Sequence, residues 1–224
     1  LPIYGGHINN WDVSQVTNMD AVFGNLTNFN EDISGWDVSN VQSMVETFGN
    51  ATNFNQDIGG WDVSNVRSMF GMFYGASSFN QDIGGWDVSN VRMMLLMFAK
   101  ATSFNKDIGG WDVSNVAIMQ NMFEDASSFN QDIGGWDVSN VRDMHELFRG
   151  ASSFNQDLSG WCVKNIDFKS GASNPNSRYY FIDENRKNSK WTPNRYPQWG
   201  TCPTTTTTSL PKKKDDFFPD PINI

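Results

Sequence analysis

Carboxylates at two fixed positions of an internal repeat are the first residues in this sequence that could do chemistry. Trp recurs every 25 residues, at 11, 36, 61, 86, 111, 136 and 161, and we number repeat positions from that Trp as 0. Asp holds position +1 as Asp12, Asp37, Asp62, Asp87, Asp112 and Asp137. It holds position +21 as Asp32, Asp57, Asp82, Asp107, Asp132 and Asp157.

These two aspartate columns allow two interpretations. Carboxylates stacked a few ångströms apart repel each other, and bound Ca²⁺ would relieve that repulsion. The alternative, which we favour, is that each Asp accepts backbone N–H groups at a turn or helix start and so stays ionised. Asn at position +19, from Asn30 to Asn155, is expected to do the same in an asparagine ladder. We therefore expect no metal site and no cofactor.

Catalytic residues are not expected either. The only two histidines, His7 and His145, occupy non-equivalent places without a patterned Ser or Cys nucleophile beside them. A repeated carboxylate ladder offers no acid and base with separate environments, and Gly59-Gly60 and its copies are not followed by the Lys of a phosphate loop. The sequence predicts a non-enzymatic protein, and a carbohydrate-active enzyme is a weaker option.

Composition narrows the class of partner. The chain has 224 residues and a formal net charge of −9, which excludes a nucleic-acid groove because that needs a basic stripe. Nine Trp and seventeen Phe are too many for a disordered acidic chain. No stretch approaches the 18 or so apolar residues of a membrane span.

The repeat itself predicts the fold. Apolar residues at +5, +8, +12 and +15, such as Val66, Met69, Phe73 and Ala76, have the spacing of one helix face. The stretch from Phe79 to Val88 favours a short strand. We expect an α/β, leucine-rich-repeat-like solenoid with one helix and one short parallel strand per 25-residue coil, over residues 1–160. The chain opens inside a repeat, with Tyr4 at a Phe position.

A resemblance to a known family adds to this interpretation. Residues 79–90, FNQDIGGWDVSN, together with residues 65–77, NVRSMFGMFYGAS, resemble the repeat of the BspA family of leucine-rich-repeat-like surface proteins. The segment from Trp161 to Val163, followed by residues 197–203, is similar to the closing segment of that family. The resemblance implies an extracellular or cell-surface protein with an adhesion or protein-interaction role and no enzymatic activity.

The end of the repeats indicates a cap followed by a tail. Cys162 replaces the Asp of position +1, and Cys202 closes the next segment, so residues 161–203 favour a C-terminal cap held by one disulfide. Two free thiols are the alternative. Residues 204–224 contain a Thr run and a Pro-broken end, which predict a linker and flexible tail, with or without O-glycans.

Two glycosylation motifs occupy the same repeat position. Asn25-Leu26-Thr27 and Asn50-Ala51-Thr52 are N-glycosylation sequons, and both Asn residues hold position +14. Since this position is expected at the end of each helix, both should be exposed on one flank. Their shared register also follows from the repeat alone.

The candidate binding surface lies where the copies differ. Positions +6, +7, +9, +10, +13 and +14 vary and are expected on the outward side of the helix. The candidate residues are Arg67, Phe70, Tyr74, Arg92, Leu95, Leu96, Arg142 and His145. We expect this flank to bind another protein or an extracellular polysaccharide. The alternative is a structural subunit of an extracellular filament, coat or appendage that self-assembles through its open N-terminal coil.

Overall fold

The computed structural model of the chain describes residues 7–166, 193–198 and 200–203. Regular helix in this part of the chain is confined to two short 3₁₀ helices, Ile8–Asn10 and Pro193–Arg195. Neighbouring coils are joined by isolated parallel β-bridges at position +7, and these residues contain no longer strand and no sheet. The predicted α/β, leucine-rich-repeat-like architecture, with one helix and one strand per coil, is therefore wrong.

Two successive four-residue turns replace the predicted helix. In the third coil, which starts at Trp61, Met72 N–H donates to Met69 O at 3.2 Å, and Ala76 N–H donates to Phe73 O at 3.0 Å. The third residue of each turn has positive φ, 58° at Gly71 and 67° at Gly75, as in a type II turn. Each turn places its first and last residues inside, so the two turns reproduce the spacing of three and four that a helix face would show.

Main-chain hydrogen bonds between coils explain why no helix forms. The N–H groups at +8, +10, +12 and +14 donate to the carbonyls at +7, +9, +11 and +13 of the next coil, over 2.6–3.0 Å. Met69 N–H, for example, donates to Met93 O at 3.0 Å, and Phe73 N–H donates to Met97 O at 2.9 Å. These donors are therefore not available to the i−4 carbonyls of an α-helix. These four bonds per coil have their donors toward the C-terminal end of the stack, whereas the N–H at +6 donates in the opposite direction, to the +6 carbonyl of the preceding coil.

Stacked aromatic rings fill the interior. Within a coil, the Phe rings at +12 and +18 lie 3.9–4.1 Å apart between centroids. Between coils, the +12 rings lie 5.3–5.7 Å apart and the +18 rings 5.8–6.0 Å apart. Each Trp from Trp36 to Trp161 donates its indole N–H to the carbonyl of the residue 28 positions earlier, which holds position +22 two units back, as Trp86 Nε1 does to Ile58 O at 3.1 Å. The Trp and Phe columns are therefore in the register that the 25-residue repeat predicts.

The asparagine ladder at +19 is confirmed. The backbone N–H of each Asn donates to Oδ1 of the equivalent Asn one coil earlier, from Asn55 to Asn155. Where Gln follows, its side chain donates to the same earlier Asn, and Gln81 Nε2 reaches Asn55 O at 2.7 Å. The ladder ends at Asn155, whose Oδ1 is buried and has no hydrogen-bond partner among the described residues.

The described C-terminal residues pair with the last coils in place of a further repeat. Arg195 Nη1 donates to Asn155 O, as a Gln side chain does between the earlier coils. Leu158 N–H donates to Arg195 O and Val163 N–H to Thr201 O, both at 2.9 Å. The disulfide between Cys162 and Cys202 is confirmed. Most of the predicted cap, the tail 204–224, Trp199 and the N-terminal Tyr4 lie outside the described residues.

Candidate binding surface

The side chains that differ between copies lie in and just before the paired turns. We call the surface formed by positions +6, +7, +9, +10, +13 and +14 the variable face. The structure corrects the expectation that these positions line the outside of a helix, because two positions in each coil have left-handed φ. Position +10 has φ of 50–58° and position +14 has φ of 54–69°. Adjacent copies of one position remain neighbours because main-chain bonds join the coils.

Two of the predicted arginines lie side by side on the variable face. Arg92 N–H donates to Arg67 O at 2.9 Å, so the two side chains leave adjacent coils at position +6. Ala117 stands between Arg92 and Arg142 in the same column, through bonds of 2.9 Å on each side. All three side chains are exposed, and no carboxylate in the described part of the chain forms an ion pair with them.

The predicted apolar residues adjoin this arginine pair. Phe70 and Leu95 hold position +9 of the same two coils, and Leu96 follows at +10. All three are half-buried. Position +9 is polar at both ends of the stack, with Asp20 in the first coil and His145 in the sixth. The predicted set is therefore divided, since Arg142 and His145 lie two coils away from the apolar group.

Tyr74 is paired within the protein. Lys100 Nζ donates to the Tyr74 hydroxyl at 2.8 Å and also lies 5.0 Å from the ring centroid. This hydrogen bond is the main reason why the pKa of the Lys100 ammonium rises above its usual value. The pair holds a cation at position +14, on the other side of the apolar residues from the arginines.

The sequence reasoning missed a polar network at the C-terminal end of the variable face. Arg149 Nη1 donates to Glu124 Oε1 at 2.9 Å and to Glu146 Oε2 at 3.2 Å. The buried Asn121 donates to the same two carboxylates at 3.1 and 3.2 Å. Alignment of the repeats could have found it, because Glu124 and Arg149 hold the same position in adjacent coils. Its members bond mainly to one another, which ties the fifth coil to the sixth.

The aspartate columns bind backbone N–H groups. Each Asp at +1 accepts the N–H of the Ser two residues on, as Asp87 does from Ser89 at 3.0 Å. Each Asp at +21 accepts from position +23 over 2.9–3.0 Å. Hydrogen bonds from the Ser side chain and then its backbone lower the pKa of Asp12, Asp37, Asp87 and Asp112. These bonds are the turn contacts that we favoured over calcium. No group of three or more His, Cys, Asp or Glu placed to hold a metal occurs within the described ranges.

The two sequon asparagines differ in their surroundings. Asn50 Nδ2, the atom that a glycan would modify, donates to Asn25 Oδ1 at 3.0 Å. Asn25 is exposed, whereas Asn50 is half-buried, and both have positive φ, 63° and 57°. Exposure on the predicted flank is therefore complete only for Asn25, and glycosylation stays a prediction.

The first coil exposes apolar side chains that later coils bury. Trp11 is 54% exposed, Val22 47% and Leu26 50%, whereas the Trp residues from Trp36 to Trp161 are at most 7% exposed. The carbonyls of Asn18, Asp20, Val22 and Gly24 accept no backbone hydrogen bond from the described residues. This edge of the stack offers acceptors to any neighbour.

The geometry is that of a repeat protein built from stacked 25-residue coils. Its interior residues recur at fixed positions of the repeat, and the residues of its variable face differ from coil to coil. The chain belongs to the family described as "Mycoplasma protein of unknown function, DUF285", whose pattern matches residues 3–105 and 82–177. Comparisons with curated proteins and with solved structures find no match. Across the described residues, no helix has the length and apolar character needed to cross a membrane.

Proposed function

We propose that this chain is a non-enzymatic module of an extracellular or cell-surface protein that binds another protein or a polysaccharide through the variable face. The observation that carries the proposal is the contrast between two sides of the same coil. Interior and ladder residues repeat because stacking requires them, whereas the variable face differs in charge and polarity from coil to coil. Half-buried apolar residues beside arginines that form no ion pair within the described residues are typical of an interaction surface.

Two further observations support the extracellular location. The disulfide between Cys162 and Cys202 is compatible with an oxidising compartment. The repeat and closing segment resemble those of BspA surface proteins, whose adhesion role we propose for this chain.

A binding comparison tests the variable face directly. We would probe an array of extracellular proteins and polysaccharides with the wild-type chain and with a Tyr74→Glu/Leu95→Glu double variant. The matched control is Gly85→Glu/Gly110→Glu, since a Cβ at either glycine meets no heavy atom within 4 Å. Signals that persist in the control and disappear in the face variant support the proposal. Equal signals from all three proteins reject the variable face as the binding surface.

The first coil favours a second candidate function, a structural subunit of an extracellular filament, coat or appendage. Exposed Trp11, Val22 and Leu26 lie near carbonyls that accept no backbone hydrogen bond from the described residues, which suits an added coil, as in the contacts between the coils of this chain. Light scattering on the purified chain tests this function. A mass that rises with concentration and returns to the monomer in a Trp11→Ser variant supports it, and a strict monomer at all concentrations rejects it.

A further inference from the structure

The arginine pair has no anionic partner within the described protein. Arg67 and Arg92 leave adjacent coils joined by a 2.9 Å main-chain bond, and both side chains are exposed. The chain carries nine more negative than positive charges. The carboxylates of its two Asp columns are, however, hydrogen-bonded to their own turns. Two neighbouring guanidinium groups can hold one carboxylate with several charge-assisted hydrogen bonds.

Apolar residues follow the arginine pair along the same two coils. Phe70 and Leu95 lie three residues beyond Arg67 and Arg92 along the same two coils, and Met93 lies between Arg92 and Leu95. The equivalent positions are polar at the two ends of the stack, as at Asp20 and His145. A ligand that covers both parts must therefore carry anionic and apolar groups close together.

Leu96 extends the apolar group at a turn position that has left-handed φ in every coil. Its φ is 57°, in the left-handed region that Gly adopts more readily than Leu does. The equivalent residues in the other coils are Ala21, Glu46, Gly71, Asn121 and Glu146. Leu96 remains half-buried, so complete burial of its side chain does not offset this strain. Because other residues besides Gly have positive φ at this position, the turn of the repeat accounts for the conformation, and Leu96 contributes to the site through its apolar side chain.

We propose that Arg67, Arg92, Phe70, Leu95 and Leu96 form a site for an acidic, apolar-containing segment of a partner protein. The segment places carboxylates on the arginine pair and apolar side chains against Phe70, Leu95 and Leu96. A sulfated polysaccharide would satisfy the arginines but leave the apolar group in water. The inference rests on the proposed binding function and specifies the partner.

Fluorescence anisotropy with defined peptides tests the site. The first probe is a short labelled peptide in which Asp and Leu alternate, and the comparison probes are a Lys/Leu peptide, an Asp/Ser peptide and a heparin fragment. We expect the wild-type chain to bind the Asp/Leu peptide most strongly, with affinity that falls as salt rises. Arg67→Gln/Arg92→Gln should weaken binding at least about tenfold, since charge-assisted hydrogen bonds are lost.

Two further variants separate a binding role from a structural one. Arg142→Gln makes the same change in the same column, two coils from Arg92, and should leave peptide affinity within about twofold. Leu96→Gly removes an apolar contact and relieves the positive φ, so it should weaken peptide binding while raising the thermal midpoint. A merely structural Leu96 would not combine these two effects.

Three results would overturn the proposal. The first is an absence of Asp/Leu peptide binding, the second is equal weakening by Arg142→Gln, and the third is preference for heparin with no effect of Leu96→Gly. If any of these three results occurs while the array still distinguishes the Tyr74→Glu/Leu95→Glu variant from its control, the variable face binds a different class of ligand. If the array shows no difference either, the proposed function fails as well.

Discussion

Replacement of Asn55 by Ala measures how much the asparagine ladder stabilises the stack. Asn55 Oδ1 accepts the N–H of Asn80 at 2.9 Å and Nε2 of Gln81 at 3.0 Å, and both bonds are partly buried. Gln81 keeps its bond to the main-chain oxygen of residue 55, whereas the Asn80 N–H loses its acceptor. One lost bond and one unpaired donor together predict a loss of about 2 kcal/mol. For a domain of this size, that lowers the melting temperature by about 4–8 °C.

The same substitution at the end of the ladder is the control. Asn155 Oδ1 is buried but accepts no hydrogen bond, and the Asn155 N–H keeps its bond to Asn130 Oδ1 at 2.8 Å. Asn155→Ala should therefore change the free energy of unfolding by no more than about 0.5 kcal/mol. Asn55→Asp, which retains an acceptor oxygen, should lose less than Asn55→Ala.

Urea unfolding followed by circular dichroism, together with calorimetry, would compare the four proteins. Because both Ala variants lose the same side chain from equivalent positions, differences in helix or strand propensity cancel. Equal losses at positions 55 and 155 would refute the reasoning, since they would mean that the amide contributes by packing and not as an acceptor. No loss at either position would mean that water replaces the ladder bond at no cost.

Three other predictions follow from the interior, the aspartate columns and the disulfide. Phe98→Ala should lower the free energy of unfolding in urea by about 3–5 kcal/mol, because the ring is fully buried and its centroid lies 4.1 Å from that of Phe104. A decrease of less than about 1 kcal/mol would contradict the stacked interior. The folded pKa of Asp87 lies below its usual 3.8, so its stabilising effect is present above that pH and is lost as pH falls through the lowered pKa. Calorimetric scans should show a midpoint that falls below about pH 4, less steeply in Asp87→Asn, and an unchanged slope would contradict the assignment. Reduction of the disulfide, or Cys162→Ser/Cys202→Ser, should lower stability by roughly 2–5 kcal/mol in the same urea assay, and an unchanged midpoint would show that the bond does not restrain the fold.

The repeat period allowed prediction of which residues stack, but not of the local backbone. The 25-residue spacing of Trp, Phe and Asn predicted the columns, the asparagine ladder and the turn contacts of Asp correctly. The spacing of Val66, Met69, Phe73 and Ala76 fits one helix face as well as two turns, and the helix was the wrong choice. Position +14 held the missing signal, because Asn, Asp and Gly adopt positive φ most readily and occupy five of its six copies.

The candidate surface was predictable only as a set of positions. Variation between copies identified Arg67, Arg92, Phe70 and Leu95, which the structure places in two adjacent coils. The repeat numbering already placed Phe70, Leu95 and Leu96 in two adjacent coils, with Arg142 and His145 in the sixth, but variation alone gave no reason to leave those two out of the set. Side-chain pairing was also out of reach, as with Tyr74 and Lys100, because it depends on the turn geometry that the helix prediction replaced.

The complementary edges that each coil presents to its two neighbours have a consequence for how this protein can change over generations. Loss or duplication of one whole 25-residue unit leaves the same two complementary edges facing each other, with every aromatic ring still above its counterpart. The stack can therefore lengthen or shorten by one coil at a time while the contacts between coils stay the same. Point substitutions change the exposed side chains separately. The length of the stack and the set of exposed side chains can therefore evolve independently of each other.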